Sequence, residues 1–83
     1  MNTPRWCVLI PCLNEEAAIQ SVVESVLALG APVIVIDDGS DDRTPEIVAA
    51  LPVTLLRHAQ RRGKGEALRC GFREALRQVT TPW

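Results

Sequence analysis

The chain has 83 residues, 47% apolar and 23% charged, with a formal net charge of −1 at pH 7. That length holds at most one small domain, and the composition excludes disordered, fibrous and collagen-like classes. The near-neutral balance supplies no global attraction to nucleic acid or an anionic membrane, and no nucleic acid is expected as a partner.

Cys7, Cys12 and Cys70 are odd in number and show no C-x-x-C or Cys/His spacing, so they predict reduced thiols, used mainly in packing, in a cytoplasmic protein. The N-terminus carries no signal pattern, and no apolar run approaches the roughly 18 residues that a membrane span requires. Export and membrane crossing are therefore not expected of this segment.

In chain order, Trp6 to Ile10 is a continuous apolar run ended by Pro11, which predicts a strand buried on both faces. Asn14 is placed to cap a helix on which Ile19, Val22, Val23, Val26 and Leu27 draw one apolar stripe, with Gly30 as terminator. Val33 to Ile36 predicts a second buried strand, stopping at Asp37 and Asp38. Thr44 followed by Pro45 marks an N-cap with proline at the first position of a short helix, with Ile47, Val48 and Leu51 on its core face and Pro52 as its end. Val53 to Leu56 predicts a third strand, Arg57 to Gly63 a basic loop, and Lys64 to Val79 an amphipathic helix. On that helix Leu68, Phe72, Ala75, Leu76 and Val79 form the expected core face, with Gly71 permitting close approach to the sheet.

Right-handed crossovers turn this order into one βαβαβα half of an α/β, three-layer, doubly wound parallel sheet with strand order 3-2-1. Ligands of such sheets bind beyond the carboxyl ends of the strands. Those ends read PCLNEE from Pro11, DDGSDD from Asp37 and RHAQRRGKGEA from Arg57, so one rim is expected to hold both carboxylates and cations.

A carboxylate such as Asp38 or Glu15 can accept N–H bonds from a base edge or O–H bonds from a ribose. Lys64, between two glycines at a helix start, offers charge, close approach and a favourable dipole to a diphosphate, with Arg61 and Arg62 nearby. Asp41 and Asp42 are expected to be solvated, Asn14 to serve as a cap, and His58, a lone histidine in a basic loop, to sit on the surface.

The three rim segments resemble those of the family 2 glycosyltransferases, enzymes of the GT-A fold that use nucleotide-sugar donors. In that family the first strand is followed by P-x-x-N-E, here Pro11, Asn14 and Glu15, and the second ends in D-D-x-S, here Asp37, Asp38 and Ser40. A basic G-K-G-x-A-x-x-x-G segment follows as Gly63, Lys64, Gly65, Ala67 and Gly71. The N-terminal segment is most similar to that of dolichyl- and polyprenyl-phosphate sugar transferases, which often carry a tyrosine where this chain has Leu13.

The resemblance implies that Pro11, Leu13 and Glu15 line a nucleoside pocket, that Ile36 and Asp38 continue it, that Asp37 holds the base or its loop, and that Lys64 lies near the diphosphate. It implies a UDP- or GDP-sugar as donor, a polyprenyl phosphate as a candidate acceptor, and sugar transfer with inversion. Mg²⁺ or Mn²⁺ would serve the complete enzyme at a D-x-D segment, and a later aspartate would be the base. Neither is present in residues 1–83, which the resemblance identifies as a partial GT-A domain with no catalytic or metal-binding residue of its own. The complete enzyme would work in the cytoplasm or at the cytoplasmic face of a membrane.

The alternative is an inactive, truncated product that only binds nucleotide or self-associates through an exposed edge of the first strand. Other nucleotide folds fit less well. Pro11, Cys12 and Leu13 stand where a dinucleotide-binding G-x-G-x-x-G would begin, and Gly63-Lys64-Gly65 lacks the spacing and hydroxyl of a P-loop. Ile36 occupies the position of a haloacid-dehalogenase nucleophile, and Arg57 and His58 that of a receiver phosphoacceptor.

Overall fold

The computed structural model describes residues 7–79. The elements run β1 (Val8–Cys12), α1 (Ile19–Leu27), β2 (Val33–Asp37), α2 (Thr44–Ala49), β3 (Thr54–Arg57) and α3 (Lys64–Val79). All strand pairs are parallel and β2 is central, in the order β1-β2-β3, which is the expected 3-2-1 order seen from the opposite edge. Trp6 and the tail from Thr80 to Trp83 lie outside the described residues, as does the side chain of Val79.

The two-residue period of β2 builds the three layers. Val33 and Val35 point to one side, where they pack with Cys12, Ile19, Val23 and Val48 beneath α1 and α2. Ile34 and Ile36 point to the other, where they meet Ala67 of α3. Every residue of β2 is buried, so the central strand needs apolar side chains on both faces.

β1 extends through Pro11 to Cys12 rather than ending before the proline, with Pro11 opposite Ile36. The reason is its edge position. Val8 donates its N–H to Pro32 on the β2 side, and the two-residue alternation then turns the ring nitrogen of Pro11 toward the open side, where no ladder bond is lost. Having one neighbour also leaves Val8 to Pro11 only partly buried, against the expectation of a strand covered on both faces.

Asn14 does not cap α1. It adopts φ 52°, and Glu15 to Ala18 form a turn in which the carbonyl of Glu15 accepts the N–H groups of Ala18 and Ile19. The helix therefore starts at Ile19, with no side-chain cap. Ile19 and Val23 are fully buried, whereas Val22 points away from the stripe and is 42% exposed.

On α3 the bounds agree with the sequence but the buried face is rotated. Ala67 and Gly71 are buried and Ala75 partly so, whereas Leu68, Phe72 and Leu76 are 39%, 58% and 52% exposed. Close approach explains the rotation. A Cβ on Gly71 would lie 2.6 Å from Cδ1 of Ile36 and 3.1 Å from its Cγ1, so only the small stripe at 67, 71 and 75 fits against the sheet. The larger side chains, about 100° further round the helix, are left on its flank.

Because Ile36 is fully buried and cannot swing aside, Gly71→Val should destabilise the fold by about 1–3 kcal/mol. Urea unfolding should show a lower midpoint with an unchanged slope; an unchanged midpoint would contradict the close approach of α3.

Candidate functional site

The carboxyl ends of the three strands are joined by two sets of side-chain-to-backbone bonds. The first ties the turn after β1 to the loop after β2. Asn14 donates its N–H to Oγ of Ser40 at 2.8 Å, Glu15 to Oγ1 of Thr44 at 2.9 Å, and Glu16 to Oδ2 of Asp42 at 3.2 Å. In return, Asp41 donates its N–H to Oδ1 of Asn14 at 3.0 Å. The sequence predicts a helix cap at Asn14 and solvated acids at Asp41 and Asp42; Asp41 is exposed and joins only through its backbone N–H, whereas the structure corrects the readings of Asn14 and Asp42. Asn14 bridges two loops. Asp42 also receives the N–H of Thr44 at 2.8 Å, and Thr44 is the first residue of α2 rather than its cap, a position held by Arg43.

Asp37 has no exposed surface. Its carboxylate accepts the N–H of Ser40 at 3.2 Å, the Ser40 hydroxyl and the Cys12 thiol at 3.8 Å, and Nε of Arg57 lies 3.5 Å away. It therefore builds the loop after β2 and does not reach the rim. Burial, followed by the charges of Asp37 and Glu15, pushes the Cys12 thiol up to about 12, so it remains a protonated donor.

The second set centres on Asp38. Its Oδ1 accepts the N–H of Arg62 at 2.9 Å and lies 2.8 Å from Nδ1 of His58, while Oδ2 accepts the N–H of Gly63 at 2.8 Å. His58 is only 7% exposed, which overturns the surface reading drawn from the sequence. The signal for its role was its position one residue beyond β3, on the same rim as Asp38; its partner, 20 residues earlier, was invisible to local pattern.

The bonds from His58, Arg62 and Gly63 hold the Asp38 carboxyl below the usual carboxylate range. Gly39 lets the loops meet: at φ +93°, a Cβ there would lie 2.9 Å from the backbone nitrogen of Arg61.

Between these two sets lies an open groove of about 220 Å³, lined by Pro11, Cys12, Leu13, Glu15, Asp38, Arg61, Gly63, Lys64 and Ala67. It brings together Pro11, Leu13, Glu15, Asp38 and Lys64 from the sequence reading, with Arg61 but not Arg62 beside them. It leaves out Asp37 and Ile36, whose side chain is in the core beneath α3. The groove has apolar walls at Pro11 and Leu13, carboxylates at Glu15 and Asp38, and cations at Arg61 and the start of α3. Neither Arg61 nor Lys64 makes an ion pair among the described residues. Its volume falls below the ~300–1,000 Å³ of closed ligand pockets.

Among the described residues, no three His, Cys, Asp or Glu side chains gather as a metal ion would need. Asp38 has only about one of its four lone-pair sites left after three donors. The described residues do not fit a resident metal.

A carboxyl held low in the folded state stabilises the fold above its unfolded value, about 3.9, and this contribution is lost as pH falls through the lower folded value. Acid unfolding of the wild type should therefore steepen below about pH 4. Asp38→Asn should be less stable at neutral pH and show a shallower acid limb by circular dichroism; an identical acid limb would contradict the assignment.

Residues 7–81 match the family described as glycosyl transferase family 2. Two uncharacterized proteins of Methanocaldococcus jannaschii are 39% identical over 77 residues and 36% identical over 74, covering 92% and 82% of this chain. A poly-β-1,6-N-acetyl-D-glucosamine synthase of Staphylococcus epidermidis is 35% identical over 74 residues, covering 81% of the chain. No solved structure gives a significant match. The chain spans 32% of the length of each archaeal protein and 18% of the synthase. With the family match covering nearly the whole chain and the parallel sheet carrying the three rim segments, the chain belongs to glycosyl transferase family 2.

Proposed function

We propose that the groove receives the nucleoside diphosphate of a nucleotide-sugar donor, as the donor-binding part of an inverting glycosyltransferase. The carrying observation is its lining: apolar Pro11 and Leu13, acceptors Glu15 and Asp38, and cations Arg61 and Lys64 around one opening. Pro11 and Leu13 contact the base, and Glu15 accepts hydrogen bonds from the base edge or ribose. The remaining lone pair of Asp38 takes one such bond. Lys64 and the free N–H groups opening α3 face the diphosphate, because a helix start favours negative charge.

UDP and GDP remain the two candidate carriers, and the synthase relative supports including an N-acetylglucosamine donor in the test. A polyprenyl phosphate acceptor is supported by the motif after β1. None of the groove residues is assigned to the transfer step itself: they bind and orient the donor.

Self-association is a further proposal, supported by the open hydrogen-bonding side of β1 and by the exposed Leu68, Phe72 and Leu76. Sedimentation should show concentration-dependent association, and a strict monomer would contradict it.

Calorimetric titration with UDP, GDP and UDP-N-acetylglucosamine tests donor binding. Binding should weaken by about five- to tenfold in Lys64→Ala, equivalent to ~1–1.4 kcal/mol for one exposed phosphate contact, and more in Asp38→Ala, which loses the loop as well. Unchanged affinity in Lys64→Ala, or no binding to folded wild type, would overturn the reading.

A further inference from the structure

Asp38, His58 and Cys70 form a linear array whose far end, Cys70, lies outside the donor groove. Nδ1 of His58 faces the Asp38 carboxylate at 2.8 Å, and Nε2 lies 3.3 Å from Sγ of Cys70 on α3. The carboxylate fixes the tautomer: with the proton on Nδ1 bonded to Asp38, Nε2 presents its lone pair to the thiol. His58 and Asp38 are buried, at 7% and 5% exposure, while Cys70 is partly exposed and lines a separate cleft between β3 and α3, with Leu56, Arg73, Glu74, Leu76 and Arg77.

We infer that Cys70 is a nucleophilic thiol, activated by His58 and oriented through Asp38, and a site of oxidation to a sulfenic acid by hydroperoxides. In the step, the thiol proton moves to Nε2 of His58 and the sulfur attacks one peroxide oxygen. The O–O bond breaks, the departing hydroxide takes the proton back from the imidazolium, and water leaves. Sulfur gives up two electrons to become a sulfenic acid, and the peroxide is reduced by the same two.

The groups around the thiol are mixed. Oε2 of Glu66 lies 3.7 Å from Sγ, Glu74 is paired with Arg77, and Arg73 brings a cation to the same cleft. The imidazole nitrogen is the nearer of the two polar neighbours of the sulfur.

The other two cysteines provide internal references. Cys12 is buried with its thiol pushed up to about 12, and Cys7 is partly exposed and free. The test treats the full chain with hydrogen peroxide, traps sulfenic acid with dimedone and reads the modified peptides by mass spectrometry. Cys70 should be trapped at least about tenfold faster than Cys7 in the wild type and at a rate close to that of Cys7 in His58→Gln.

Equal rates for Cys70 and Cys7 in the wild type would overturn the inference, and that comparison requires no variant to fold. Fast trapping that persists in a folded His58→Gln would overturn it too, by removing His58 as the base. Neither readout involves a nucleotide, so this inference and the donor-binding proposal succeed or fail separately.

Discussion

The rim depends on one carboxylate having three donors. Asp38 leaves β2 at the sheet's carboxyl edge and takes bonds from His58, Arg62 and Gly63, all in the segment that joins β3 to α3. That segment has no regular secondary structure, so its backbone N–H groups need partners from elsewhere. Supplying two of them from one buried carboxylate fixes where α3 begins, and with it the positions of Lys64 and Gly63 in the groove. Asp38 is thus a structural anchor first, with one remaining acceptor site to offer a ligand.

A second constraint comes from the opposite side. In the acidic run from Asp37 to Asp42, Asp37 and Asp42 direct their oxygens to backbone N–H groups and neighbouring side chains. Ser40, Thr44 and Asn14 complete the stitching between the turn after β1 and the loop after β2. Charged acceptors suit this work because their hydrogen bonds are stronger than those of neutral groups. The groove is consequently bordered by two loops locked to each other and a third locked to Asp38, a preorganised wall whose exposed chemistry is confined to Glu15, Arg61, Lys64 and the edge of Asp38.

Much of this was legible in the sequence. Strand and helix order, the parallel sheet, the bounds of α3 and the close contact at Gly71 follow from hydrophobic periodicity and the placement of glycine and proline. What escaped was non-local. The partners of Asn14 lie in the loop after β2, and the partner of His58 lies a strand and a helix earlier, so neither could be found from neighbouring residues. The buried face of α3 was misjudged for a related reason. Periodicity finds an apolar stripe but not the distance to the sheet, and at this distance Ala67 and Gly71 fit where Leu68 and Phe72 do not.

The most direct test of the central role of Asp38 is amide hydrogen exchange at Arg62 and Gly63, read residue by residue by NMR. These amides lie outside every helix and strand, so protection can come only from the partner that the structure assigns them. Both should exchange well below their intrinsic rates in the wild type and approach those rates in a folded Asp38→Ala. Intrinsic-rate exchange in the wild type, or protection unchanged by the substitution, would contradict the account.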